Sequence, residues 1–153
     1  MSVEKPIIRV DGAVKTVDQN LINQLKTLAG SSSDLRSRVL IHNSSESPIH
    51  EMIIVLHKDS IVEPHRHPMG KSESYLILEG HLRINTWKDA NSNPISHEIL
   101  PYNAGSSSAF FWNHSNGLWH QPQSLTDWSV YLEVYEGPFC KEIDVEFMRP
   151  KLL

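Results

Sequence analysis

The most informative stretch of this chain reads Pro64-His-Arg-His-Pro-Met-Gly-Lys-Ser-Glu-Ser-Tyr-Leu-Ile-Leu-Glu-Gly80. His65 and His67 are two residues apart, and on a strand such residues point to the same face. Pro68 and Gly70 predict a turn that folds the next strand back, so that Glu73 joins the two imidazoles inside a sheet. His120 is the best distant candidate for a fourth group. Imidazole with carboxylate suits one divalent transition metal: Fe, Mn, Ni, Co, Cu or Zn.

Short alternating segments separated by polar turns fill the chain from Arg38 onward. In the clearest of them, Trp128, Val130, Leu132 and Val134 form one apolar face. Many short strands with regular turns predict a β-sandwich or barrel. The predicted strands lie near residues 38–42, 50–57, 61–67, 73–79, 81–88, 96–101, 107–112, 118–122 and 127–135.

One amphipathic helix is predicted near residues 17–29. Its apolar residues Leu21, Ile22, Leu25 and Leu28 recur at helical spacing. Thr16, followed three residues later by Gln19, resembles a capping box, and Gly30 can end the helix. We therefore expect a single mainly β domain, with an N-terminal extension over residues 1–34 and a barrel over residues 35–153.

Composition limits the classes of partner. The 153 residues include 14 Lys and Arg against 18 Asp and Glu, a formal net charge of −4, which disfavours binding to nucleic acid. No apolar stretch is long enough to span a bilayer, so no membrane partner is expected. The single cysteine, Cys140, and the lack of a visible signal peptide predict a reducing, cytoplasmic location.

The histidine stretch resembles the first motif of the cupin superfamily, with His65, His67, Glu73 and Gly80 in the expected order. Gly117-Leu-Trp-His120 resembles its second motif, although Ser115 stands where proline is usual. This resemblance implies a cupin (jelly-roll) β-barrel. It also implies a metal held by a set of four ligands: His65, His67, Glu73 and His120.

A closer resemblance, roughly from residue 35 to 150, is to the WbuC family of cupin metalloproteins, which are often encoded among bacterial surface-polysaccharide genes. It implies a role in polysaccharide biosynthesis and a small polar ligand such as a sugar or nucleotide-sugar. The residues that carry it are Arg36, His42, Pro48, Pro64 to Pro68, Lys71 to Glu73, Leu78 to Gly80, Trp119, His120, Glu133, Glu136 to Phe139, Asp144, Glu146 and Phe147.

Two further residues are candidate catalytic groups. Tyr75 shares strand parity with Glu73, so it either faces a ligand or is a core tyrosine. Glu133 is either a base or partner in the site, or a surface carboxylate. His42 and His50 are either ligand-binding or ordinary strand-end residues. The remaining histidines are expected to be exposed: His57, His81, His97 and His114.

Two functions follow from these features. The first is a metal-dependent enzyme, an isomerase, epimerase or dioxygenase acting on a small polar substrate. The alternative is a non-catalytic module that binds or senses a metabolite through the metal. Open sheet edges and the apolar helix face also predict a homodimer.

Overall fold

The computed structural model describes residues 6–115 and 117–149. The ends of the predicted extension and barrel, residues 1–5 and 150–153, lie outside this range. The two helices are α1 (Gln19–Gly30) and α2 (Lys141–Asp144). The strands are β1 (Ile7–Arg9), β2 (Arg36–Leu40), β3 (Ile49–His57), β4 (His65–Arg66), β5 (Glu73–Glu79), β6 (Leu82–Trp87), β7 (Ile95–Ile99), β8 (Phe111–His114), β9 (Trp119–Ser124), β10 (Trp128–Glu136) and β11 (Glu146–Phe147).

Two sheets face each other. One has six strands in the order β1-β2-β3-β10-β5-β8, and the other has five in the order β11-β4-β9-β6-β7. All strand pairs are antiparallel except β1 with β2. The predicted mainly β fold with one helix near the N-terminus is confirmed.

The middle of the six-stranded sheet packs against apolar residues on both faces, and successive residues of β10 point to opposite faces. Tyr131 belongs to the core between the sheets, whereas Val130 packs beneath α1. There α1 contributes Ile22, Leu25 and Ala29. Full burial of one leucine side chain such as Leu25 stabilises the fold by about 1.5–3 kcal/mol. The apolar face of α1 is therefore covered by its own sheet and needs no partner subunit.

The local predictions need four corrections. Asp18, not Thr16, caps α1, because its side chain accepts a hydrogen bond from the Leu21 backbone N–H at 2.9 Å. Leu28 is 40% exposed rather than part of the buried stripe. The predicted strand 61–67 shrinks to β4, and the strand at 107–112 shifts to β8. None of the helices in the described residues is long and apolar enough to cross a membrane.

Candidate metal centre

The predicted metal ligands lie between the two sheets, not inside one. His65 on β4 pairs directly with His120 on β9, and His67 follows β4 by one residue. Glu73 begins β5 in the opposite sheet, where Tyr135 is its cross-strand partner. The expectation that Glu73 and the histidines meet inside a single sheet is therefore wrong, although Glu73 does lie beside His67. The turn carries the chain across to the other sheet instead, where Glu73 faces His67 and His120.

The ligand atoms are close together and shielded from water. The Nε2 atoms of His120 and His67 lie 2.9 and 3.4 Å from Oε2 of Glu73. His65, His67 and His120 each offer a nitrogen, and these nitrogens lie within 4.8 Å of one another. The Glu73 residue is 3% exposed and His120 is 0% exposed. This spacing suits one small cation with bonds of about 2.0–2.2 Å.

Backbone carbonyl groups fix the orientation of each imidazole. Nδ1 of His65 lies 2.8 Å from the carbonyl of Glu63, and Nδ1 of His67 lies 2.7 Å from that of Asp144. Nδ1 of His120 lies 3.0 Å from the carbonyl of Leu118. Since a carbonyl only accepts hydrogen bonds, each Nδ1 carries the proton of the neutral ring and each Nε2 keeps a free lone pair.

The Nε2 lone pairs of His67 and His120 face the Glu73 carboxylate, and no hydrogen-bond donor lies between them. The Nε2 atoms of His67 and His120 have no hydrogen-bond partner of acceptable geometry in the described part of the chain. Buried polar atoms are rarely left unpartnered, and acceptors facing one another repel unless a cation lies between them. The residues present therefore fit a divalent metal.

The protonation states also suit a metal. Burial, followed by the nearby His120, lowers the pKa of His65 to about 3, so its imidazole is neutral near pH 7. Burial alone raises the pKa of Glu73, but His120 and His67 hold it well below its usual range. Burial lowers the pKa of His67, but the Glu73 carboxylate raises it overall, so a cation that binds there would displace a proton from this ring. Neutral imidazole and ionised carboxylate are the forms that coordinate metals.

His114 is a member of this cluster that the sequence did not predict. It was expected to be exposed, yet it is 7% exposed, and its Nδ1 lies 3.8 Å from Oε2 of Glu73. Glu73, His114 and His120 form a second group able to hold a cation. His114 could have been identified from the pairing register of β8 with β5, because that register places His114 directly opposite Glu73. Of the other histidines expected to be exposed, His97 is exposed, whereas His57 and His81 are half-buried.

The two candidate catalytic residues differ in their surroundings. Tyr75 is buried, and its hydroxyl donates to Oε2 of Glu73 at 3.1 Å. Glu133 lies opposite Tyr75 on β10 and lines a cavity rather than the outer surface. Burial, with the neighbouring Glu73 carboxylate, raises the pKa of Glu133 to about 8. Tyr75 therefore holds Oε2 of Glu73, and the carboxyl group of Glu133 lies beside the cavity.

A cavity of about 660 Å³ adjoins the cluster. Its lining includes His65, His67, Glu73, Tyr75 and Glu133. His42 and His50 also line it, with their rings stacked at 3.9 Å between centroids. This volume is within the range of pockets that bind small molecules.

Two sequence comparisons bear on the relationship of this chain to known proteins. Residues 17–99 match the family described as "Domain of unknown function (DUF6016)". No curated protein matches.

Solved structures resemble the fold at low sequence identity. Protein SO0799 from Shewanella oneidensis is 13% identical with a TM-score of 0.55, covering 70% of this chain and 66% of its own. Oxalate oxidase in complex with glycolate is 12% identical with a TM-score of 0.55, covering 76% and 57%. CapF with an inhibitor, 3-isopropenyl-tropolone, is 15% identical with a TM-score of 0.57, covering 73% and 31%.

Likeness at this level shows the fold alone, and it is that of cupin-type proteins, which confirms the predicted fold class. The chain spans less than two thirds of the length of these structures. The buried histidine and glutamate cluster could hold a metal within that fold.

Proposed function

Because the chain belongs to the family described as "Domain of unknown function (DUF6016)", which names no activity, we propose a function from the site itself: a metal-dependent enzyme that acts on a small polar molecule in the cavity. One divalent transition metal is bound: Fe, Mn, Ni, Co, Cu or Zn. Its proposed ligands are His65, His67, Glu73 and His120.

The observation that carries this proposal is the set of Nε2 lone pairs aimed at the Glu73 carboxylate. Nδ1 of His67 and of His120 already bonds to a carbonyl group, so each of these rings in its neutral form presents only a lone pair to Glu73. Tyr75 is the donor to Oε2 of Glu73, but at 2.9 Å the same oxygen faces His120 Nε2, and two facing acceptors repel in a buried site. A cation in that position satisfies all the facing acceptors together.

The roles of the remaining residues follow from their contacts. A bound divalent metal supplies a Lewis acid that polarises an oxygen of the substrate. The Tyr75 hydroxyl fixes Oε2 of Glu73, and we assign Tyr75 this positioning role. Glu133 is the proposed proton-transfer group, because its carboxyl lines the cavity opposite Tyr75.

The substrate class and assembly are finer parts of the same proposal. The resemblance to WbuC proteins supports a sugar or nucleotide-sugar of surface-polysaccharide biosynthesis, and an isomerase, epimerase or dioxygenase reaction. A cytoplasmic homodimer remains part of the proposal. It is supported by edge strands such as β1, where Ile7 is 51% exposed.

The test is metal binding by matched histidine variants. Purified protein is stripped with a chelator and titrated with Mn²⁺, Co²⁺ and Zn²⁺, and bound metal is counted by elemental analysis. We expect one ion per chain in the wild type and in His97→Asn, a substitution of an exposed histidine outside the cluster. His65→Asn and His120→Asn should each weaken binding by about 10-fold or more.

Unchanged binding in both cluster variants would refute the ligand assignment, provided that circular dichroism shows both to be folded. The enzyme and the non-catalytic module are then separated by turnover. Metal-loaded wild-type protein should convert a sugar or nucleotide-sugar, and the Glu133→Gln variant should bind it without converting it.

A further inference from the structure

Strand β2 turns two arginines toward the cavity. Ser37 and Val39 face α1, where the Ser37 hydroxyl donates to the Leu25 carbonyl at 2.7 Å. The alternate residues Arg36, Arg38 and Leu40 therefore point the other way, and all three line the cavity. A guanidinium group on this face lies in the same cavity as the metal cluster.

Arg38 differs from the other cavity arginines in its partners. Arg36 pairs with Asp34 at 3.1 Å, and Arg9 donates to the carbonyl of His42 at 2.6 Å. The only hydrogen-bond acceptor of the Arg38 guanidinium among the described residues is the sulfur of Met52, at 3.6 Å. A guanidinium has five N–H donors, and a thioether sulfur is a weak acceptor. Arg38 therefore retains most of its donors for another molecule.

The acidic side chains of the cavity do not neutralise Arg38. The Glu73 carboxylate is directed at His67 and His120. Arg38 acts electrostatically on Glu133, but no ion pair joins it to that or any other carboxylate in the described ranges. Arg9 and Lys141 add positive charge to the lining, and Glu63 adds one further carboxylate, which forms no ion pair with Arg38. Such a lining favours a ligand that brings its own negative charge.

We propose that the cavity takes an anionic substrate, whose carboxylate or phosphate group is held by the Arg38 guanidinium while another oxygen of the same molecule reaches the metal cluster. The proposal rests on the proposed function, since it deepens the substrate class of the same site. Planar guanidinium binds both oxyanions through two parallel hydrogen bonds, which also fixes the orientation of the ligand.

The experiment measures binding of charged and neutral probe pairs by calorimetry. The phosphate arm compares glycerol 3-phosphate with glycerol, and the carboxylate arm compares succinate with succinamide. Each is titrated into wild type, Arg38→Gln and Arg83→Gln. Arg83 is the matched control, because it lies on the outer face of β6 and pairs with Glu98 at 2.9 Å.

We expect at least one anionic probe to bind wild type more tightly than its neutral counterpart. Arg38→Gln should weaken that binding by about 10-fold or more, whereas Arg83→Gln should not change it. The arm that responds identifies the oxyanion as carboxylate or phosphate. No anion binding below roughly 10 mM in the wild type, or binding unchanged in Arg38→Gln, would overturn the proposal.

Running the series in metal-free and metal-loaded protein separates this proposal from the proposed function. If the protein binds metal but no probe anion, the metal site stands and the anion site falls. If Arg38-dependent anion binding occurs in a chain that takes up no metal, the anion site stands and the metal-dependent function falls.

Discussion

Four polar side chains approach a single oxygen of Glu73, Oε2. His120 Nε2 is nearest at 2.9 Å, the Tyr75 hydroxyl donates at 3.1 Å, and His67 Nε2 and His114 Nδ1 follow at 3.4 and 3.8 Å. Only Tyr75 among them is a certain donor in its neutral form. The position of this oxygen therefore depends strongly on the Tyr75 hydroxyl group, and a bound metal would not substitute for that hydrogen bond.

Removal of that hydroxyl in Tyr75→Phe should weaken metal binding by about 10-fold, because the ligating oxygen loses the group that orients it. The measurement is competition for Zn²⁺ against a chromophoric chelator. Tyr131→Phe is the control, since Tyr131 is also buried and also lines the cavity.

Each of these substitutions should change the free energy of unfolding of the metal-free protein by no more than about 0.5–1.5 kcal/mol. Equal metal affinities in the two variants would contradict the positioning role assigned to Tyr75.

The C-terminal segment, residues 137–149, is tied to the metal cluster through Asp144. Its carboxylate accepts hydrogen bonds from Lys71 Nζ at 2.6 Å, the Tyr135 hydroxyl at 2.9 Å and the Cys140 backbone N–H at 2.7 Å. Its carbonyl accepts from Nδ1 of His67, and β11 pairs with β4. The segment therefore holds the ring of His67, which is a proposed metal ligand.

Asp144→Ala should release this segment and weaken metal binding, because three donors lose their acceptor and the carbonyl that orients His67 becomes mobile. We expect a loss of about 2–3 kcal/mol in the free energy of unfolding, measured by urea denaturation. Glu142→Ala on the same helix is the control, since Glu142 is exposed. A metal affinity unaffected by Asp144→Ala would show that the segment does not position His67.

The sequence predicted the longer elements because each carries its own pattern. The bounds of β5 were predicted as residues 73–79, and β10 followed from its alternation. Strands β4 and β11 have two residues each, which is too short to show an alternating pattern in the sequence. They are defined only by their pairing with each other and with neighbouring strands. His114 was mispredicted for a similar reason, since its burial comes from pairing with β5 across the sheet and not from any neighbour in sequence.

At the scale of the whole molecule, the proposed metal ligands join two layers. His65 and His120 belong to the five-stranded sheet, and Glu73 belongs to the six-stranded sheet. A cation bound among them links the sheets across the cavity. Ligands that bind only the folded state stabilise it by mass action.

Metal should therefore raise the melting temperature of the wild-type protein. With free metal at about 100 times its Kd the gain is about 2.7 kcal/mol. For a chain of this size that corresponds to roughly 5–10 °C. Differential scanning fluorimetry with and without chelator measures the change.

His97→Asn should retain this shift, and His120→Asn should lose most of it. An equal shift in His120→Asn would place the stabilising ion elsewhere on the chain.

The C-terminal segment also has a consequence for biosynthesis. It is the last part of the chain to be made, and a chain that stopped near Glu136 would contain all four proposed ligands without it. In such a chain His67 lacks the carbonyl of Asp144, and β4 lacks its partner β11. At the proposed site, we therefore expect metal capture at full affinity only in a chain in which this segment has been made and has docked.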